Sequence, residues 1–394
     1  MTTAERNTLF KVKIMTKSNG HTGFVNMRFL LLVIMLLVIA VGQTAGQDSK
    51  TKKKKKYFNG TFSFETAYDD NILKYSQKYL DRFMNNEDEG RFNIETYDDL
   101  VINPALELGS YVNIFKKQKT EFTLKFSYNA FVVNNIKSWS MFYLGVEQNL
   151  SKRASFKFFY SYIPEFYVRH FRDKDWVPIY GYTPQTFVPF SFSKDNYGFW
   201  IQNTFFKSTR IRLYLYYAEY FHNSHFTEYD CKNYSYRLQL NQKVTKNFRF
   251  DFSYEFLISD AKGYDQPGET KETSDDADAS HEGDEFGLGL SYKFPDIKKH
   301  DNDLSIDVDY AVRYYTTDNY VELDPEHAGR VDNMLSYAIK YRYRVKKNMY
   351  LTAFYRWNGR DSNTESPINS EYVSEEKDYR QGIVGLEYSW RFKF

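Results

Sequence analysis

The sequence predicts an all-β fold, a transmembrane antiparallel up-and-down β-barrel of about fourteen strands. Three observations lead there. The chain is hydrophilic yet full of rings: 36 Tyr and 35 Phe among 394 residues, with 26% of residues charged and a mean hydropathy of −0.64. The apolar stretches beyond residue 57 alternate with period two. The connections between them alternate short and long. A bundle of membrane helices is excluded, because each span needs about 20 mainly apolar residues. Disorder is disfavoured by the aromatic content. The single cysteine, Cys231, excludes an internal disulfide and a multi-cysteine zinc site. A net charge of +2 gives no argument for nucleic acid as a partner.

The first element is an export signal. Met27-Arg28 opens the apolar run 29–41, and the small and polar residues Gly42 to Gln47 follow. That order reads as a secretory signal cleaved after Gly46, with an uncleaved anchor as the alternative. Residues 1–46 form the signal region, with Met27 a candidate start. Residues 47–57 form a basic periplasmic tail that carries Lys52 to Lys56.

Residues 58–394 form the barrel, as strands expected at 58–68, 100–114, 119–133, 139–150, 153–163, 195–207, 210–222, 229–244, 247–260, 284–294, 302–315, 331–345, 348–360 and 379–394. Their side chains fall on two unlike faces. Phe248, Phe250, Phe252, Tyr254 and Phe256 share one; Arg249, Asp251, Ser253 and Glu255 share the other. Leu335, Tyr337, Ile339, Tyr341 and Tyr343 oppose Ser336, Lys340, Arg342 and Arg344 in the same way. Successive strand residues point to opposite sides of a sheet, so each strand has an apolar side for lipid and a polar side for a lumen. No amphipathic helix stands out. Connections such as Ser151-Lys152, Thr245-Lys246 and Lys346-Lys347 are short, whereas 69–99, 164–194 and 261–283 are long. Short turns at one end and long loops at the other are the mark of an outer-membrane barrel.

The last strand alternates to the end of the sequence: Leu386, Tyr388, Trp390, Phe392 and Phe394 against Glu387, Ser389, Arg391 and Lys393. An amphipathic final strand ending in Phe resembles the assembly signal of bacterial outer-membrane β-barrel proteins. The resemblance implies a Gram-negative outer membrane, contact with its lipid, and recognition of Tyr388, Trp390, Phe392 and Phe394 by the barrel-assembly machinery. Tyr68-Asp69-Asp70-Asn71 is similar to a segment of some barrels linked to polysaccharide export.

No cofactor or metal motif is present. Of the seven histidines, His222 lies two residues before Ser224, which puts base and nucleophile on one face if the strand continues. This faintly resembles the His-x-Ser of outer-membrane phospholipase A, but His225-Phe226 stands where that family has Asn-Gly. The acidic groups Glu87-Asp88-Glu89 and Asp275-Asp276 with Asp278 offer oxygen ligands for Ca²⁺, although no Asp-x-Asp-x-Asp-Gly loop occurs. Solvated loop charge is the alternative.

Alternation turns Arg237, Lys243, Arg249, Lys293, Lys340, Arg342, Arg344, Arg356 and Arg391 inward, with Glu65, Asp251, Glu255, Asp307, Asp309 and Glu387. The basic excess reads either as an anion-favouring pore wall or as a salt-bridged lining. The expected function is a porin-like channel for passive diffusion of small polar or anionic solutes, not an enzyme. A structural or export barrel for a surface polysaccharide, and a phospholipase-type barrel, are the rival readings.

Overall fold

The computed structural model describes residues 58–115, 118–206, 208–297, 300–364 and 367–393. The export signal, the basic tail and Phe394 lie outside the described residues. Fourteen antiparallel strands close a barrel in which each pairs with its sequence neighbours, and β1 (Phe58–Asp69) pairs with β14 (Tyr379–Lys393). Phe62 faces Trp390 across this seam and Ser63 faces Ser389. Closure matters because lipid offers no partner to an unpaired strand edge.

The alternation of the sequence becomes the two surfaces of the wall. Phe158, Tyr236, Ile339 and Leu386 stand on the outside, and the Phe158 side chain is 57% exposed. In water such a surface would be unfavourable; against hydrocarbon it is the ground state. Apolar burial is instead local. Ile72, Leu73, Tyr75 and Tyr79 of the connection 70–98 pack with Tyr167 at the long-loop end. Among the described residues no helix is long and apolar enough to cross a membrane.

Most strands lie within a few residues of their predicted bounds, and β11 (Asn302–Tyr315) matches them. The main departure is the hairpin of β5 (Ala154–Arg172) and β6 (Phe187–Phe205), far longer than expected. Pro164 and Pro189 interrupt the pattern, and proline ordinarily argues against a strand interior. Here two register shifts, between Ile163 and Phe166 and between Tyr167 and Arg169, absorb the irregularity on β5. Each inserts one extra residue on β5, so together they displace the register by two and return the side chains to the faces they held before the first. The connection shrinks from the expected 164–194 to 173–186.

At one end the connections are tight. Lys347-Asn348 joins β12 (Val331–Lys346) to β13 (Met349–Asn363), with Asn348 in the left-handed region at φ 67 and a register shift between Arg344 and Lys346 beside it. At the other end the loops carry helices that sequence periodicity did not reveal: α1 (Gln77–Met84), α2 (Val177–Tyr180) and α3 (Pro367–Lys377). Ser76 caps α1 by accepting from the Tyr79 amide at 3.4 Å. These elements are too short for a clear 3.6-residue period and are held by tertiary contacts.

The long loops are joined to one another. Lys78 reaches Glu376 of α3 at 2.8 Å, and Lys377 reaches Glu326 at 2.5 Å. Asp324 accepts from the Asp278 amide at 2.9 Å. His225 pairs with Asp173 at 2.8 Å, and Arg91 lies 4.8 Å over the Phe187 ring. Loops far apart in sequence thus form a connected rim at one end of the barrel.

Candidate functional site

Asp251, Asp307, Asp309, Lys340 and Arg356, with Arg237, line one cavity of about 380 Å³ inside the wall. The predicted residues come from β9 (Phe248–Ala261), β11, β12 and β13, which share one stretch of wall, so inward positions meet across the ladder. Most of the charge is paired. Lys340 reaches Asp307 at 3.0 Å, Arg356 reaches Glu65 at 3.0 Å, and Arg237 pairs with Glu255 and, at 3.2 Å, with Glu285. Asn241 donates to Asp251.

A second cavity of about 490 Å³ lies toward the short turns and shares Lys340 with the first. Six cationic residues line it, Lys243, Lys246, Arg249, Lys293, Lys340 and Arg342, against two acidic ones, Asp303 and Glu387. Part of this excess is compensated: Arg342 pairs with Asp303 at 2.7 Å and Lys293 with Asp301 at 2.6 Å. Arg344 also pairs with Asp301, at 2.5 Å. Lys243, Lys246 and Arg249 have no ion-pair partner among the described residues. Lys243 and Arg249 are moreover directly opposite each other in the ladder of β8 (Cys231–Lys243) and β9. Like charges in that position are destabilising. Arg391 lies 5.1 Å over the Tyr350 ring, with Arg342 at 5.4 Å from the same ring.

The wall between β4 (Trp139–Asn149) and β7 (Thr209–His222) is different in kind. Phe159 stacks on Tyr143 at 5.6 Å and meets Tyr216 edge-on at 5.8 Å. Arg212 lies 4.6 Å over the buried Trp200 ring.

A third cavity, about 830 Å³, opens among the long loops. Sequence reasoning missed it because its residues come from segments without periodicity. Arg330 grips Asp332 through two 2.7 Å hydrogen bonds, both side chains buried. Arg169 donates to the Leu73 and Lys74 carbonyls and lies 4.6 Å over Tyr75. Burial alone would raise the Glu326 carboxyl, but Lys377, His327 and Arg330 hold it down at about 2. Glu228 goes the other way: burial, then repulsion by Asp276, Asp265 and Asp175, pushes it up to about 8. Asp265 is raised to about 7 by burial and by its neighbours Asp175 and Asp276.

The remaining sequence candidates separate by position. β7 ends at His222, so the strand does not continue to Ser224. His222 is packed against Phe190 at 4.9 Å, Ser224 is exposed, and no hydrogen bond joins the two. The premise of the phospholipase-like pair therefore fails in the backbone. Asp69, Asp70 and Asn71 fasten the barrel seam. Gln381 donates to Asp69 at 2.9 Å, the Gly382 amide donates to Asp70 at 2.7 Å, and Asn71 donates to the Arg380 carbonyl at 2.9 Å. In the acidic group at Glu87-Asp88-Glu89, Asp88 pairs with Arg82 at 2.7 Å and Arg91 at 3.1 Å. Asp278 lies 3.7 Å from Lys271, whereas Asp276 turns toward Asp175 and Asp265. On β14, Tyr388 and Trp390 face outward, and Phe392 leans over Gly60 of β1, where a Cβ would collide with its ring.

No protein family matches the sequence, and no curated protein does. Among solved structures the fold resembles a bacterial polysaccharide outer membrane secretin (8% identity, 86% of this chain and 100% of that one, TM-score 0.43). It also resembles the outer membrane channel DcaP of Acinetobacter baumannii (12% identity, 88% and 100%, TM-score 0.42). A third similar structure is an anion-selective porin from Comamonas acidovorans (8% identity, 85% and 98%, TM-score 0.40). These likenesses are distant, and the chain's own architecture carries the assignment. Closed and antiparallel, apolar outside and polar within, with tight turns at one end and long loops at the other, it is a membrane β-barrel of the kind found in bacterial outer membranes.

Proposed function

We propose that the protein is a porin-like channel for passive diffusion of small polar solutes, with a preference for anions, and that it has no catalytic role. The observation that carries this reading is the cross-strand pair Lys243 and Arg249, two cations opposite each other without an acidic partner among the described residues. A purely structural lining would neutralise such a pair, as the wall does at Lys340 and Asp307 or at Arg356 and Glu65. Kept beside the polar cavity of the short-turn end, the excess raises the local concentration of anions, an effect that falls with ionic strength. The long loops 70–98, 173–186 and 262–280 set access from the other side. Tyr388, Trp390, Phe392 and Phe394 serve assembly through the barrel-assembly machinery, and export follows the signal in residues 1–46.

Single-channel recording in planar bilayers tests the reading. Purified barrel should give discrete conductance steps. A folded barrel that inserts but never conducts would contradict it and favour a structural or export role.

A further inference from the structure

We infer that the loop end of the barrel holds a calcium site built from Asp175, Asp265, Asp276 and Glu228, which ties three outer loops together. One ligand oxygen from each of the three aspartates lies within 4.8 Å of the other two. They come from separate connections: Asp175 from 173–186, Asp265 and Asp276 from 262–280. Glu228, from 223–230, is a second and independent feature. It is only 9% exposed, lines the same cavity, and its Oε2 is buried without a hydrogen-bond partner. Oδ1 of Asp265 is likewise buried and unpartnered.

Three nearby acids of the loop end have cationic or imidazole partners: Glu326 has Lys377, Asp332 has Arg330, Asp173 has His225. None of the four carboxylates forms an ion pair among the described residues. The lysines of the loop 262–280 turn elsewhere: Lys262 donates to the Thr227 hydroxyl at 3.3 Å, and Lys271 pairs with Asp260 at 2.8 Å. Carboxylates gathered around one cavity repel one another, and unpaired buried carboxylate oxygen is costly. A cation between them removes both penalties.

The donor set selects the ion. All ligands are carboxylate oxygens, which suit hard cations rather than zinc or copper. Ca²⁺ accepts six to eight oxygens in flexible geometry, whereas Mg²⁺ demands near-ideal octahedral geometry. Loop-borne carboxylates able to bind through one or two oxygens fit the former. Extracellular Ca²⁺ modules bind at roughly 10⁻⁴ to 10⁻³ M, the range expected of an exposed rim. The function would be to brace loops 173–186, 223–230 and 262–280 around the entrance, whether or not the lumen conducts.

Terbium luminescence on the folded, detergent-solubilised barrel tests this, because Trp176 adjoins Asp175 and can sensitise a bound Tb³⁺. Saturable binding of a single Tb³⁺ is expected, displaced by Ca²⁺ and not by Mg²⁺ at the same concentration. Asp265→Asn with Asp276→Asn should weaken binding about tenfold or more, because ligand charge tunes affinity. The control Glu87→Gln with Glu89→Gln should leave binding unchanged. Heat-modified gel mobility confirms that each variant is a closed barrel. Absence of saturable binding, equal displacement by Mg²⁺, or undiminished binding in a folded Asp265→Asn, Asp276→Asn variant would overturn the site. No arm depends on conductance, so its failure is distinct from failure of the channel reading.

Discussion

The two ends of the barrel handle charge in opposite ways. At the loop end, three cations are held in ion pairs, Arg330 with Asp332, Lys377 with Glu326 and Lys78 with Glu376, while Arg169 and Lys137 donate to backbone carbonyls. At the short-turn end, Lys243, Lys246 and Arg249 line a cavity without such partners, and two of them oppose each other. Matching fixes geometry, because a buried pair cannot lose one member without stranding the other. Leaving charge unmatched next to a water-filled space creates a field instead. The loop end is therefore where stability is concentrated, and the short-turn end is where ionic preference arises.

The comparison breaks most sharply at Arg330. Arg330→Ala leaves the buried Asp332 with only Arg360, at 3.9 Å, to compensate it, and the loss of a buried pair of this kind costs up to about 3–5 kcal/mol. Limited proteolysis should then cut the loop 316–330 readily. Arg249→Ala, at the other end, should change stability by less than about 0.5 kcal/mol. Equal protease resistance in both variants would remove the contrast.

A somewhat smaller effect tests the wall between the ends. Phe252 faces outward, and Ser253 lines the inner cavity. A basic residue on the lipid face costs roughly 2–4 kcal/mol at mid-membrane, so Phe252→Arg should fold poorly in refolding titrations while Ser253→Arg folds normally. Equal folding of both would mean a register displaced by one residue.

Acid should loosen the loop end. Glu326 is held at about 2 in the folded protein against an ordinary 4.5. A carboxylate depressed in this way contributes fully above its unfolded value and loses that contribution as pH falls through the folded one. The contact of Lys377 with Glu326 should therefore hold at neutral pH and weaken between 4.5 and about 2. Pepsin digestion across that window should release loop fragments while the strands persist, and Glu326→Gln should show the neutral-pH rim already weakened.

Much of this was legible beforehand, for a physical reason. The strand period is short and local, so Phe250, Phe252 and Tyr254 against Arg249, Asp251 and Ser253 declare their faces within six residues. The same alternation placed Asp307, Asp309 and Lys340 on one wall. It could not say that Arg344 would meet Asp301 or Arg356 would meet Glu65, because cross-strand partners depend on register and on barrel closure. The β5–β6 hairpin was read too short because Pro164 looks like a terminator, and only the paired bulges reveal that the ladder survives it. The loop end was the least legible. Asp175, Glu228, Asp265 and Asp276 are up to a hundred residues apart in sequence, and no periodicity joins them.

The central claim, that unmatched cations at the short-turn end set the preference of the channel, is tested most directly by reversal potential across a salt gradient in planar bilayers. The native barrel should prefer anions, and the preference should shrink as ionic strength rises. Lys243→Glu with Arg249→Glu should abolish or reverse it, while Lys78→Gln at the loop end should leave it unchanged. Cation preference in the native barrel, or anion preference untouched by the double substitution, would contradict the account.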